Sequence, residues 1–218
     1  MMSSVLSAQA LTFDPTKHEY WLDGRIVPSV TQILKATGVS TDFDALGAMS
    51  DRLHGQIELK RDLGSALHQD IHAFDDGDLV WETVDDRVLP YLEAWTIFRE
   101  NTGLKPLARE RMVFHPALNY CGTLDGIFER PDGARVLLDV KTGDPHDAAA
   151  NLQTAGYQLA YACEHPDLFI VERQSVQLQP DRKVPYLVTP YRDFSDFATW
   201  SAIVTTYWNQ SGRRSRHV

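Results

Sequence analysis

GTLDGIFERPDGARVLLDVKTGDPHDAAANLQTAGYQLAY, residues 122–161, is the stretch of this chain in which fold and chemistry are read together. Apolar runs flank RPDGA at 130–134 and predict two antiparallel strands. Pro131 supplies a φ near about −65° and Gly133 takes a left-handed corner, so the turn fits a short hairpin loop in which Arg130 pairs with Ala134. Counting back two at a time sets Asp125 opposite Asp139, and opposed residues share a face of the sheet. Lys141, two positions beyond Asp139, shares it too. Two acids and a lysine meet at one strand end.

Asp139 follows the apolar run Val136-Leu137-Leu138, so its carboxylate is expected to be buried. A pair of buried acids costs several kcal/mol unless a cation compensates. A divalent metal does this best, and oxygen-rich ligation favours Mg²⁺ or Mn²⁺ over zinc. The plain alternative is an Asp–Lys salt bridge across a hairpin. A helix over about 148–164 follows, with Leu152, Ala155, Gly156, Leu159, Ala160 and Cys163 as its apolar stripe. Gln153 and Tyr157 lie four apart on one face beside that stripe. They read either as a solvated helix edge or as groups that hold a phosphate or buttress the lysine.

Outward from this centre, 108–115, 120–129 and 134–140 form a predicted meander, and 168–178 and 184–191 two further strands. Upstream, 11–27 reads as short strands with Asp23-Gly24 as a tight turn. A short helix follows through Ala36, with Ser29 as N-cap and Gly38 as stop. Helical periodicity runs from 42 to 74 through Leu63, Leu67, Ile71 and Phe74, and again from 86 to 100 through Leu89, Leu92, Trp95 and Phe98. A terminal helix near 195–208 carries Phe197, Trp200, Tyr207 and Trp208, which close the core or form a subunit interface. Helices, a meander, a helix and more strands predict an α/β (α+β) fold with a central mixed sheet flanked by helices. One domain spans 1–218, with a hairpin and helical part over 1–105, a core over about 106–192 and a basic, mobile tail over 210–218.

Bulk properties narrow the class. Hydrophobic residues make up 43% and charged residues 23%, as in ordinary globular proteins rather than disordered ones. No run approaches the roughly 20 apolar residues of a membrane span, and the start MMSSVLSAQALTF lacks the marks of a secretory signal, so the expected compartment is cytoplasmic. The only two cysteines, Cys121 and Cys163, exclude a disulfide framework and are expected to be buried thiols. A net charge of −9 argues against a protein that coats nucleic acid, but not against an enzyme with a local basic groove.

In LGSALHQDIHAF, Gly64, His68 and His72 fall one helical turn apart. By spacing alone such histidines are more often satisfied polar residues than ligands. With Asp125, Asp139-Val140-Lys141 and Gln153–Tyr157 in place, however, the chain resembles the PD-(D/E)XK nucleases. The likeness is to the RecB-type branch, which includes phage recombination exonucleases and the mitochondrial genome-maintenance exonuclease. That branch is marked by a Gly-x-x-x-His helix, a Gly-x-x-Asp turn, an Asp-x-Lys strand and a Gln-x-x-x-Tyr helix. These match Gly64–His68, Gly122–Asp125, Asp139–Lys141 and Gln153–Tyr157, in order, and Pro28–Leu34 is similar to an N-terminal motif of the group. The likeness covers roughly residues 18–161.

The resemblance implies a restriction-endonuclease-like core and metal ligation by His68, Asp125, Asp139 and the Val140 carbonyl, with Lys141 catalytic and Gln153 and Tyr157 beside it. Glu110 matches an acid that binds a second metal or tunes the first; a salt bridge to Arg109 or Arg111 is its other reading. Ser29 and Thr31 are candidates for a DNA phosphate, although capping explains Ser29 equally well. Tyr157 and Trp81 are candidates for stacking, with Arg173, Arg182 or Lys183 for phosphates. The four cysteines of iron–sulfur members are lacking, so no cluster is expected, and no helicase motor is recognisable.

The expected activity is a DNA exonuclease that uses one or two Mg²⁺ or Mn²⁺ ions on linear ends, in phage or prophage recombination or replication. A single-strand annealing protein or a helicase is the expected partner class, with no membrane involved. An endonuclease on the same fold and a non-catalytic DNA- or protein-binding module are the alternatives.

Overall fold

The computed structural model describes residues 11–41, 47–48, 50–142 and 149–212. A small antiparallel sheet opens the chain: β1 (Thr12–Asp14), β2 (Glu19–Leu22) and β3 (Arg25–Val27). Asp23 and Gly24, at φ 50° and 74°, make the tight turn between β2 and β3. Helix α1 (Val30–Ala36) begins at a capping box: the Gln32 amide donates to Ser29 Oγ, and the Ser29 amide to Gln32 Oε1.

The long helix α2 (Asp51–Asp76) and α3 (Leu89–Thr102), with Pro90 in its first turn, pack on one face of the main sheet. α2 begins later than the periodicity suggested; 42–46 lie outside the described residues. Strands β4 (Lys105–His115), β5 (Tyr120–Glu129), β6 (Arg135–Lys141), β7 (Glu172–Leu178) and β8 (Tyr186–Tyr191) make a five-stranded sheet in that order. All neighbours are antiparallel except β6 and β7, which the crossover helix α4 (Ala150–Glu164) makes parallel. Helix α5 (Ser195–Gln210) closes the second face. The protein is therefore α+β, with a mixed sheet between helices.

β6 shows why the sheet is covered on both sides. Val136, Leu138 and Val140 pack with Leu67, Ile71, Trp95 and Phe98 of α2 and α3. Leu137, between them, faces Ala155, Ala160 and Trp200 of α4 and α5. Strict alternation thus feeds two cores. Trp200 is fully buried in the second, so the C-terminal helix belongs to the core. Among the described residues no helix is long and apolar enough to cross a membrane.

Candidate metal centre

The hairpin loop forms as its sequence requires: Gly133 sits at φ 82°, and the Arg130 amide donates to the Ala134 carbonyl at 2.8 Å. The β5–β6 register follows the count from that pair as far as Gly126↔Leu138, and the ladder then ends. Asp125 and Asp139 are therefore not ladder partners, which corrects the facing pair expected from counting. One step further, Val140 would pair with Leu124. Its amide instead donates to Asp125 Oδ2 at 2.7 Å. The Asp125 carboxylate occupies the split between the strands and holds the two edges together there.

β4 brings Glu110 to the same place. Arg109↔Gly126 and Arg111↔Leu124 flank it, so Glu110 lies across from Asp125. Its φ of 42° is a left-handed conformation that costs a non-glycine residue on the order of 1–3 kcal/mol, of the kind that collects at functional sites. The salt bridges entertained for it go elsewhere: Arg109 binds Asp76, and Arg111 lies 3.4 Å from Glu164. Glu110 Oε1 meets His68 Nδ1 at 3.2 Å, and Asp125 Oδ1 lies 3.9 Å from the same nitrogen.

His68 reaches the carboxylates because α2 is fixed from behind. Arg99 of α3 pairs with the buried Asp75 of α2 and donates to the Leu104 carbonyl at 2.8 and 3.1 Å. Ligand atoms of His68, Glu110 and Asp125 all lie within 4.8 Å of one another, so the three could hold a metal ion. His72, one turn on, turns to Asp76 at 3.5 Å.

Asp139 is 1% exposed, and among the described residues neither of its oxygens accepts a well-aligned hydrogen bond. Lys141 Nζ, 3.1 Å from Oδ2, forms an ion pair with it. Burial, with the charge of Asp125 adding to it, raises the Asp139 pKa to about 6 despite the lysine. Burial likewise raises Asp125, against the charges of His68 and Lys141. For His68, burial acts downward, but Asp125, Glu110 and Asp139 overturn it and carry the ring up to about 9. The pocket is short of positive charge, and a hard oxygen-rich donor set with one imidazole suits a divalent ion.

Lys141 also donates to Gln153 Oε1 at 3.1 Å, and Gln153 Nε2 donates to the Tyr157 hydroxyl at 3.3 Å. Gln153 therefore buttresses the lysine and is not a solvated helix edge. Tyr157 belongs to the apolar stripe, 5% exposed and packed on Gly122, which rules out the stacking surface suggested for it. Cys163 leaves that stripe and is exposed, while Cys121 is buried, so the expectation of two buried thiols holds for one.

No family model matches the chain, and no curated protein matches it. Among solved structures, SSO0001 matches 56% of this chain and 58% of its own at 15% identity, with a TM-score of 0.35. That likeness is too slight to bear on fold or function.

The structure thus brings His68, Glu110, Asp125, Asp139, Val140, Lys141, Gln153 and Tyr157 into one region. Arg173, Ser29 and Thr31 lie outside it, and nothing brings Trp81, Arg182 or Lys183 to it among the described residues. Arg173 is 2% exposed and donates to Asp196 Oδ2 and to the Asn151 and Asp193 carbonyls, so it ties α4 to α5 and offers nothing to a phosphate. Ser29 is buried and spends its hydroxyl on the α1 cap. Thr31 is exposed and 3.1 Å from Ser29 Oγ, on the first turn of a seven-residue helix. Sequence reasoning missed Tyr20, whose hydroxyl lies 2.8 Å from Thr123 Oγ1 across 103 residues of chain. It also missed the Asp75–Arg99 pair. Nothing local in either case marks the partner.

Proposed function

We propose that this protein is a divalent-metal-dependent deoxyribonuclease of the PD-(D/E)XK kind, acting as an exonuclease on linear DNA. The observation that carries the reading is Asp139, a buried carboxylate ion-paired with Lys141 and otherwise unpartnered among the described residues, beside a cluster able to hold a metal. In this site three acids, Glu110, Asp125 and Asp139, face two cationic groups, His68 and Lys141, and a divalent ion would offset the excess negative charge of so buried a site.

His68, Glu110, Asp125, Asp139 and the Val140 carbonyl would hold Mg²⁺ or Mn²⁺. When bound, such an ion polarises the scissile phosphate and lowers the pKa of a water. The chain's own part is positional. Lys141 presents its ammonium beside Asp139, where it orients the attacking water or steadies charge developing on phosphate oxygen. Gln153 limits the lysine's freedom, and Tyr157, locked in the core, fixes Gln153. The His68–Glu110 contact keeps the imidazole aimed at the carboxylates.

End-labelled linear DNA incubated with Mn²⁺ is expected to shorten from its ends, and EDTA to stop it. Rapid cutting of closed circular DNA would instead mark an endonuclease on the same site. No cleavage of either substrate, with the metal bound, would overturn the reading.

A further inference from the structure

Gly64 lies in the interior of α2, one turn before His68 and about 40° round the helix from it. A glycine there weakens the helix relative to alanine, because it gives up more backbone freedom on folding. Close packing does not explain it: among the described residues, nothing beyond its chain neighbours and the backbone of its own stretch of helix lies within 4 Å of where a Cβ would stand. It is partly exposed and makes no turn. Among the described residues, nothing outside its own stretch of helix stands in the way of a Cβ at this position.

On the helical repeat, Arg61 falls two turns before His68 on the same face. Its pair with Glu58, at 2.8 Å, lies on the open surface, and a guanidinium with five donors in a planar fork can take a further anion beside such a pair. A bare patch of helix thus separates the metal cluster from a cation, on a face that leads to His68. We propose that Gly64 is the seat of the substrate backbone: the strand to be cut lies against α2 over Gly64, with Arg61 taking a phosphate beyond it. This rests on the deoxyribonuclease reading above and adds the path by which DNA reaches the centre.

Gly55, on the same helix, provides the control. It too has no atom within 4 Å of a Cβ among the described residues, but it faces roughly opposite to Gly64. Binding of a fluorescein-labelled oligonucleotide is followed by anisotropy in Ca²⁺, and its cleavage in Mn²⁺, for Gly55→Ala, Gly64→Ala and Gly64→Leu. Both alanine variants should melt about 2–4 °C higher than the wild type. Only the Gly64 variants should lose DNA affinity, about tenfold or more for leucine, and cleavage with it. Mn²⁺ binding should be unchanged in all three. Gly64→Leu binding and cutting DNA like the wild type would overturn the seat and leave the nuclease reading standing. A wild type that binds Mn²⁺ but neither binds nor cuts the oligonucleotide would overturn both.

Discussion

Val140 donates its amide hydrogen to the Asp125 carboxylate at 2.7 Å, in the place where a ladder bond between β5 and β6 would otherwise lie. One side chain therefore replaces the ladder bond, bridges the split between the strands and points its second oxygen toward His68. Asp125→Asn keeps an acceptor for Val140 but removes a charge from a pocket crowded with acids. In EDTA this variant should melt at or a few degrees above the wild type. At a hundredfold excess of Mn²⁺ over its Kd, the wild type should gain about 2.7 kcal/mol, roughly 5–10 °C, and the variant should gain nothing. Thermal denaturation with and without the ion checks both.

Lys141 and Gln153 are expected to act as a unit. Lys141→Ala should lower kcat by about 10²–10³-fold. Gln153→Ala should lower it by about 10–100-fold, because the lysine keeps its charge and loses only its guide. The double variant should be no slower than Lys141→Ala alone. Additive losses in single-turnover rates would mean that Gln153 has work of its own.

How far the sequence revealed this site follows the range of the interactions. Hairpin and helix are local. Proline and glycine at fixed offsets form the 130–134 turn, and spacing of four places Gln153 beside Tyr157. The apolar run Val136-Leu137-Leu138 pointed to a buried Asp139, which is 1% exposed. The split in the sheet was not legible, because counting assumes a ladder that runs to its end. Arg173 looked like a surface cation, since nothing nearby announces Asp196, 23 positions on, as its buried partner. The left-handed bend at Glu110 carries no glycine to mark it.

Arg173→Ala tests that last reassignment. Removing the guanidinium strands Asp196 in the core, so unfolding in urea should show a loss of about 3–5 kcal/mol. The salt dependence of DNA binding should be unchanged at temperatures where the variant is folded. A shallower salt slope would return Arg173 to the phosphate contacts.

Gly122 lets β5 pass close beneath Tyr157: an added Cβ would stand 2.6 Å from Tyr157 Cε1. Gly122→Ala should cost about 1–3 kcal/mol by overpacking. The displaced ring should also loosen Gln153, so kcat should fall about tenfold while KM holds. Equal kcat in a destabilised variant would show that the tyrosine serves packing alone.

The metal itself is the most direct measurement. Crystals grown in Mn²⁺ and measured near the manganese absorption edge should show an anomalous peak bounded by His68, Glu110, Asp125 and Asp139. That peak should be absent from Asp139→Asn crystals grown in the same way. A wild-type map without a peak there, at an ion concentration that supports cleavage, would contradict the metal centre on which the proposed function depends.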